Sequence, residues 1–204
     1  MNSVAVYYIN LDHRKDRLES IQKTLSDAEL PAERYPAILN KECGAIGCSY
    51  SHCHVLEAFL KTDKEFCIVL EDDFVFKDPD DAHFRIKQLL RCSDTWDLVM
   101  LAGNVIKTES SKQPYLKKVI NVQTTSGYLV KRSFVPTLLK NYYEGLALQE
   151  LYVKEHQKPN PAYCLDIYWK LLQPISKWFL CEPKLGYQID SYSDIEGRVV
   201  NYNC

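Results

Sequence analysis

The stretch Phe66-Cys67-Ile68-Val69-Leu70, followed at once by Glu71-Asp72-Asp73, constrains this chain more than any other. An unbroken apolar run with a β-branched pair at its centre reads as a strand buried on both faces, as in the middle of a parallel sheet. Carboxylates then stand where the strand emerges. In open α/β sheets, ligands bind in the crevice outside the carboxyl ends of the strands. The pattern therefore concentrates negative charge where an α/β protein is expected to do its chemistry.

The 204 residues suffice for one sizeable core, and a composition of 46% hydrophobic and 25% charged residues is that of a globular domain. Net charge is −2 with both signs dispersed, which argues against a nucleic-acid binder. Fourteen tyrosines suit a polar, aromatic-stacking ligand such as a sugar or a base, and suit half-buried core positions equally. The apolar run at Val4–Ile9 is too short for a signal peptide and lacks a basic lead, and no run approaches the ~18 residues of a membrane span. A soluble, cytoplasmic protein is expected. The eight cysteines contain no C-x-x-C pair, and without a secretory signal they read as reduced. A zinc group at Cys43, Cys48 and Cys53 with His52 or His54 has a spacing that matches none of the usual structural zinc patterns.

Along the chain, Val4–Asn10 reads as a strand. A helix follows, with Asp12 as its cap, Leu18, Ile21, Leu25 and Ala28 as its apolar stripe and Pro31 as its stop. Arg34–Leu39 reads as a second strand, giving a strand–helix–strand unit with a right-handed crossover. A second helix is expected from about Cys48 to Lys61. Phe74–Phe76 leads to a third helix, capped by Asp78 with Pro79 at its first position. Asp97–Leu101 reads as a strand, residues 106–118 as an unpatterned excursion, and Val119–Val122 and Gly127–Val130 as strands. Ser133 is expected to cap another helix, with Gly145–Glu155 as a separate one. A rigid turn at Lys158–Pro161 precedes a short helix from about Asp166 to Leu172, and Trp178–Cys204 reads as short strands and an irregular tail. The fold class is α/β: one domain spanning 1–204, its first half (about 1–104) the cleaner α/β part.

Oxygen ligands such as Glu71, Asp72 and Asp73 suit Mg²⁺ or Mn²⁺, which take one or two protein carboxylates and leave positions for phosphates. An acidic strand end without a ligand is the plainer alternative, and the alternating ligands and glycine of an EF-hand are absent. Arg14 and Arg17 share a helix face with Leu18 and Ile21, so they point toward the sheet edge, where arginine forks onto phosphate or a base carbonyl. His52 lies on an apolar face with Val55, Leu56 and Phe59. It reads as a core histidine unless its helix start faces the same crevice, where the dipole favours an anion.

Taken together, these segments resemble glycosyltransferase family 25. The resemblance rests on Tyr8-Ile9-Asn10-Leu11-Asp12 with Arg14, Asp16 and Arg17, then Gly44-Ala45-Ile46-Gly47-Cys48 with Ser51-His52, then Leu70-Glu71-Asp72-Asp73. It continues in Thr125-Ser126-Gly127-Tyr128, Asp166, Gln188 and Ser193-Asp194-Ile195, in order over nearly the whole chain. That family includes lipooligosaccharide and collagen hydroxylysine galactosyltransferases. The resemblance implies a GT-A-like fold and inverting transfer of a hexose, galactose or glucose, from a UDP-sugar to a hydroxyl of a glycan or hydroxylysine-type acceptor, with Mn²⁺ (or Mg²⁺). It implies a nucleotide-sugar-binding half at about 1–104 and an acceptor-binding half at about 105–204. Asp73 would be the leading metal ligand, supported by Glu71 or Asp72. Asn10, Leu11, Arg14 and Arg17 would line the nucleotide end, with Ser51, His52 and Gln188 near the donor. Gly127 and Tyr128 would shape the acceptor pocket. Asp166 is the candidate general base, with Asp194 competing for that role or as a further ligand. The late histidine that closes the metal shell in many GT-A enzymes has no match, His156 lying in a segment that does not fit. A non-catalytic module that keeps the nucleotide-sugar fold is the alternative.

Overall fold

The structure is a computed structural model that describes residues 2–193 and 198–200, with side chains described through Asp190. In chain order the elements are β1 (Val4–Asn10), α1 (Lys15–Asp27), β2 (Glu33–Pro36), α2 (Gly44–Leu60), β3 (Phe66–Glu71), β4 (Phe74–Phe76) and α3 (Pro79–Arg91). Then come β5 (Leu98–Met100), β6 (Asn104–Ser110), β7 (Leu116–Gln123), β8 (Gly127–Lys131), α4 (Val135–His156) and α5 (Leu165–Tyr168). Four short strands follow: β9 (Trp178–Cys181), β10 (Gly186–Gln188), β11 (Ser191–Ser193) and β12 (Arg198–Val200).

Eight strands form one sheet in the order β2-β1-β3-β8-β5-β9-β7-β6. β1 is parallel to β2 and β3, β5 is parallel to β9, and β8 and β7 run against their neighbours. The sheet is therefore mixed, mainly parallel in strand direction and flanked by helices, which is the GT-A-like arrangement that the resemblance implies. β3 sits in its interior, with Cys67, Ile68, Val69 and Leu70 all fully buried. Because successive strand side chains alternate faces, Ile68 and Leu70 pack with Ile21 and Leu25 of α1 and Ala82, Ile86 and Leu89 of α3. Cys67 and Val69 pack on the other face with Val55, Leu56 and Phe59 of α2 and Val135, Leu138 and Tyr142 of α4. Burying each such aliphatic or aromatic side chain stabilises the fold by about 1.5–3 kcal/mol. These two cores fix β3, and so fix where its carboxyl end delivers Glu71-Asp72-Asp73.

Several elements differ from expectation, each for a local reason. α1 starts at Lys15 with Arg14, not Asp12, at its cap position; Asp12 instead pairs with Arg34 at 2.6 Å. β2 stops at Pro36 rather than running to Leu39, and the freed segment turns back toward α2. α2 begins four residues early because Asn40 Oδ1 accepts the backbone N–H groups of Glu42 and Cys43, completing the turn into the helix. Residues 106–118 are no irregular excursion: β6 and β7 form an antiparallel hairpin at the sheet edge. β7 buries only every third residue, Leu116, Val119 and Val122, and β6 buries none, so neither carries the strand alternation. Ser133 caps nothing, since a short 3-10 turn at Arg132–Phe134 leads directly into α4. α4 then runs unbroken through Gly145, where a Cβ would come 2.9 Å from the Tyr168 ring. That glycine marks where α5 docks, not a helix end.

Candidate active site

The carboxyl ends of β1, β2 and β3 open onto one edge of the sheet. β8 runs antiparallel beside β3, so its amino end faces that same edge, with Leu70 opposite Gly127. Thr124, Thr125 and Ser126 thereby arrive beside Glu71. Two crevices meet there. One is lined by Leu11, Arg14, Arg17, the Ala37–Asn40 segment, Ser51, His52, Glu71 and Asp72. The other is lined by Asn104, Gln123, Thr124, Thr125, Asp166 and Gln188, again with Glu71. Cys48 lines both.

The three acids have different surroundings. Glu71 Oε1 accepts a 2.5 Å hydrogen bond from Thr125 Oγ1 and lies 3.3 Å from His52 Nε2. Burial opposes its ionisation, but His52 and Thr125 outweigh that and hold its carboxyl below the usual range. Asp72 accepts from Asn10 Nδ2 at 2.8 Å and from Arg17 Nη1 at 2.9 Å. Burial still raises its pKa against the pull of Arg17. Asp73 Oδ2 is 2.9 Å from Arg17 Nη1 and accepts from Gln188 Nε2 at 3.0 Å. Burial first, and the Glu71 charge second, push Asp73 up to about 7. Its Oδ1 is buried without a hydrogen-bond partner. An orphaned carboxylate oxygen beside two further acids is a donor set that fits a hard divalent cation.

The surrounding side chains form a connected frame. Asn10 holds Asp72 while its own Oδ1 accepts from Arg34 Nε at 3.0 Å. Gln188 joins Asp73 to Thr124, whose Oγ1 donates to Gln188 Oε1 at 3.1 Å. Thr124 takes a positive φ of 79°, costly for a β-branched residue. In that conformation its backbone N–H reaches Asp166 Oδ2 at 3.1 Å. Asp166 is half-buried, and desolvation raises its pKa, opposed by the Thr124 N–H. Lys170, one turn on, donates to Gln123 Oε1 at 2.7 Å.

The structure thus brings Asn10, Leu11, Arg14, Arg17, Ser51, His52, Glu71, Asp72, Asp73, Asp166 and Gln188 to one edge. It alters several of their expected parts. Asn10 is 1% exposed and orients Asp72. Ser51 Oγ accepts from Ile38 N–H and donates to the Gly47 carbonyl, tying down the crevice wall. Arg14 forks onto Asp16 through Nε and Nη2. Gly127 and Tyr128 line neither crevice. Tyr128 is fully buried behind His52, its hydroxyl 3.1 Å from His52 Nδ1, and a Cβ on Gly127 would meet the Phe74 ring at 2.7 Å. Half-buried Thr124 and buried Thr125 line the second crevice instead. The cysteines diverge too: Cys43 packs with Ala45, Ile46 and Leu146, and Cys53 enters the α2–α4 core. Asp194 lies outside the described residues. The sequence pattern missed Thr124, Asn104, Gln123 and Lys170, which carry no motif and gain their place from the β6–β7 hairpin and α5. Among the described residues, no helix is long and apolar enough to cross a membrane.

No family model matches the chain. It is 24% identical to a "Glycosyltransferase 25 family member" of Anopheles gambiae, over 66% of this chain and 28% of that protein. The chain therefore spans little more than a quarter of that relative's length. Among solved structures it is similar to A197 from STIV, at 12% identity and a TM-score of 0.56, covering 97% of this chain and 92% of the other. It also matches a glycosyltransferase involved in the glycosylation of the major capsid of PBCV-1, at 10% identity and a TM-score of 0.47, covering 95% of each. The first structural match carries the fold. The sequence match bears out the resemblance to glycosyltransferase family 25 that the chain's motifs present.

Proposed function

We propose that this chain is a metal-assisted, inverting glycosyltransferase that moves a hexose, galactose or glucose, from a UDP-sugar to a hydroxyl of a glycan or peptidyl acceptor. The observation that carries the proposal is Glu71 at the seam of two crevices, with Arg14, Arg17 and Asp72 on one side and Asp166 on the other. A transferase needs that arrangement: an anionic donor on one side, a nucleophilic hydroxyl on the other, and their reacting atoms at the join.

Asp73, through its unpartnered Oδ1, and Glu71 would hold Mn²⁺ or Mg²⁺. When bound, that ion neutralises charge on the departing diphosphate. The chain's own residues do the rest. Arg17 and Arg14 supply fixed positive charge to the nucleotide side. Asp166 accepts the proton of the acceptor hydroxyl, and a carboxylate with a raised pKa is the stronger base for that step. In this reading the first half of the chain binds the donor and the second half the acceptor, although β8 and β9 thread the second half into the same sheet.

The test is a screen of UDP-sugars for metal-dependent UDP release by the purified protein. Release from UDP-galactose or UDP-glucose with Mn²⁺, stopped by EDTA and by Asp73→Ala with its fold intact, supports the proposal. UDP release that is unchanged in Asp73→Ala sinks it. A non-catalytic nucleotide-sugar-binding module is favoured by one feature, the closure of Arg17 onto both Asp72 and Asp73. UDP binding without any hydrolysis or transfer would decide for that module.

A further inference from the structure

Cys48 takes no part in the transfer proposed above, yet its side chain stands at the seam of both crevices. It lies one turn before His52 on α2, so the two side chains leave the same helix face. The end of β3 brings Glu71 up to them. The Cys48 sulfur, a His52 ring nitrogen and a Glu71 oxygen all lie within 4.8 Å of one another. We propose that Cys48, His52 and Glu71 form a binding site for a zinc-class transition metal ion, distinct in chemistry from the hard-oxygen set of Glu71 and Asp73.

A second observation points the same way. His52 is 1% exposed, and although its Nε2 is 3.3 Å from Glu71 Oε1, that nitrogen makes no well-formed hydrogen bond. Buried polar atoms without partners are rare. Nδ1 lies 3.1 Å from the Tyr128 hydroxyl. When an ion binds, a proton kept on Nδ1 and donated there frees the Nε2 lone pair for it, replacing the attraction between Nε2 and Glu71 in the metal-free protein. Metal-bound histidines are oriented in this way by a hydrogen bond from the other ring nitrogen. A thiolate, an imidazole and a carboxylate together select zinc or cobalt(II) over Mg²⁺ or Mn²⁺. Bonds of ~2.0–2.3 Å set tetrahedral ligand atoms about 3.5 Å apart, so a small rotation of these side chains closes the set. On binding, the Cys48 thiol releases its proton to solvent and its sulfur lone pair goes to the ion. All three side chains line the crevice that contains Arg14 and Ser51, from which water would complete the coordination.

Cobalt(II) titrated into the metal-free, reduced protein is the probe. The expected result is one equivalent bound, with a thiolate-to-cobalt band in the near ultraviolet and tetrahedral d–d bands, all displaced by zinc. Cys48→Ser should lose the thiolate band, and His52→Ala should weaken binding by about tenfold or more. Absence of that band in the wild-type protein, or its persistence in Cys48→Ser, overturns the site. Should Cys48→Ser not fold, the wild-type protein decides through alkylation by iodoacetamide mapped by peptide mass spectrometry. Zinc protecting Cys48 supports the site; equal alkylation with and without zinc overturns it. Neither readout depends on transfer activity, so the site can stand or fall apart from the transferase proposal.

Discussion

Asp73 holds a carboxyl group in a place that disfavours its charge. Its folded pKa of about 7 exceeds the unfolded value of about 4, so between those pH values the native state keeps a proton that the unfolded chain has released. The stability linked to this group is full below pH ~4 and is lost as pH rises through ~7. Asp73→Asn, which stays neutral, should therefore gain in thermal midpoint over the wild-type protein from pH 4 to 7.5 in EDTA. A gap that stays flat across that range would mean that the carboxyl ionises normally. Arg132 shows the opposite case, a charge that the fold welcomes. Its guanidinium donates to the carbonyls of Phe59, Leu60, Thr62 and Lys64, closing the end of α2, and lies over the Phe59 ring at 5.2 Å. Arg132→Met should cost about 2–4 kcal/mol in urea unfolding, since it strands several carbonyls and removes charge-assisted bonds. The sequence gives no hint of this cap, because α2 has no basic residue in its own last turn and the arginine comes from the far end of β8.

At the scale of elements, long and strongly patterned segments were legible and marginal ones were not. β1 and β3 read correctly because they bury both faces, and α3 because Asp78, accepting from Asp81 N–H, and Pro79 mark its start. The β6–β7 hairpin was legible only at Val119–Val122, since β6 lacks strand alternation and pairing with β9 holds Leu116–Lys118 in the sheet. Gly145 misled for a related reason. Its lack of a side chain serves the packing of Tyr168, and so the seating of α5 and Asp166 against α4. Gly145→Ala should cost about 1–3 kcal/mol through overpacking. By displacing α5 it should also lower transfer turnover while leaving UDP affinity unchanged. Equal losses in turnover and UDP affinity would show that the whole fold, rather than α5, had shifted.

The whole molecule supplies what no segment has: two crevices meeting at Glu71, built from strands of both directions. If Asp166 is the base, Asp166→Asn should reduce turnover by about 10²–10⁴-fold, with UDP binding by calorimetry intact. A loss of UDP binding in the same variant would remove Asp166 from that role. The sequence by itself determined that β3 is an interior strand, that acids stand at its exit, and that Arg17 and His52 belong to the flanking helices. Periodicity and local chemistry suffice for those statements. Only the tertiary structure decided which acid does what. Glu71 faces the seam, Asp72 is held by Asn10 and Arg17, and Asp73 is shut in with Gln188. The tertiary structure also decided that Tyr128 supports His52 from behind, and that Thr124 reaches Asp166. Those outcomes depend on residues 42 to 115 positions apart meeting through sheet register and helix docking. Register is set by the burial of entire strand faces, a property no short stretch of chain contains.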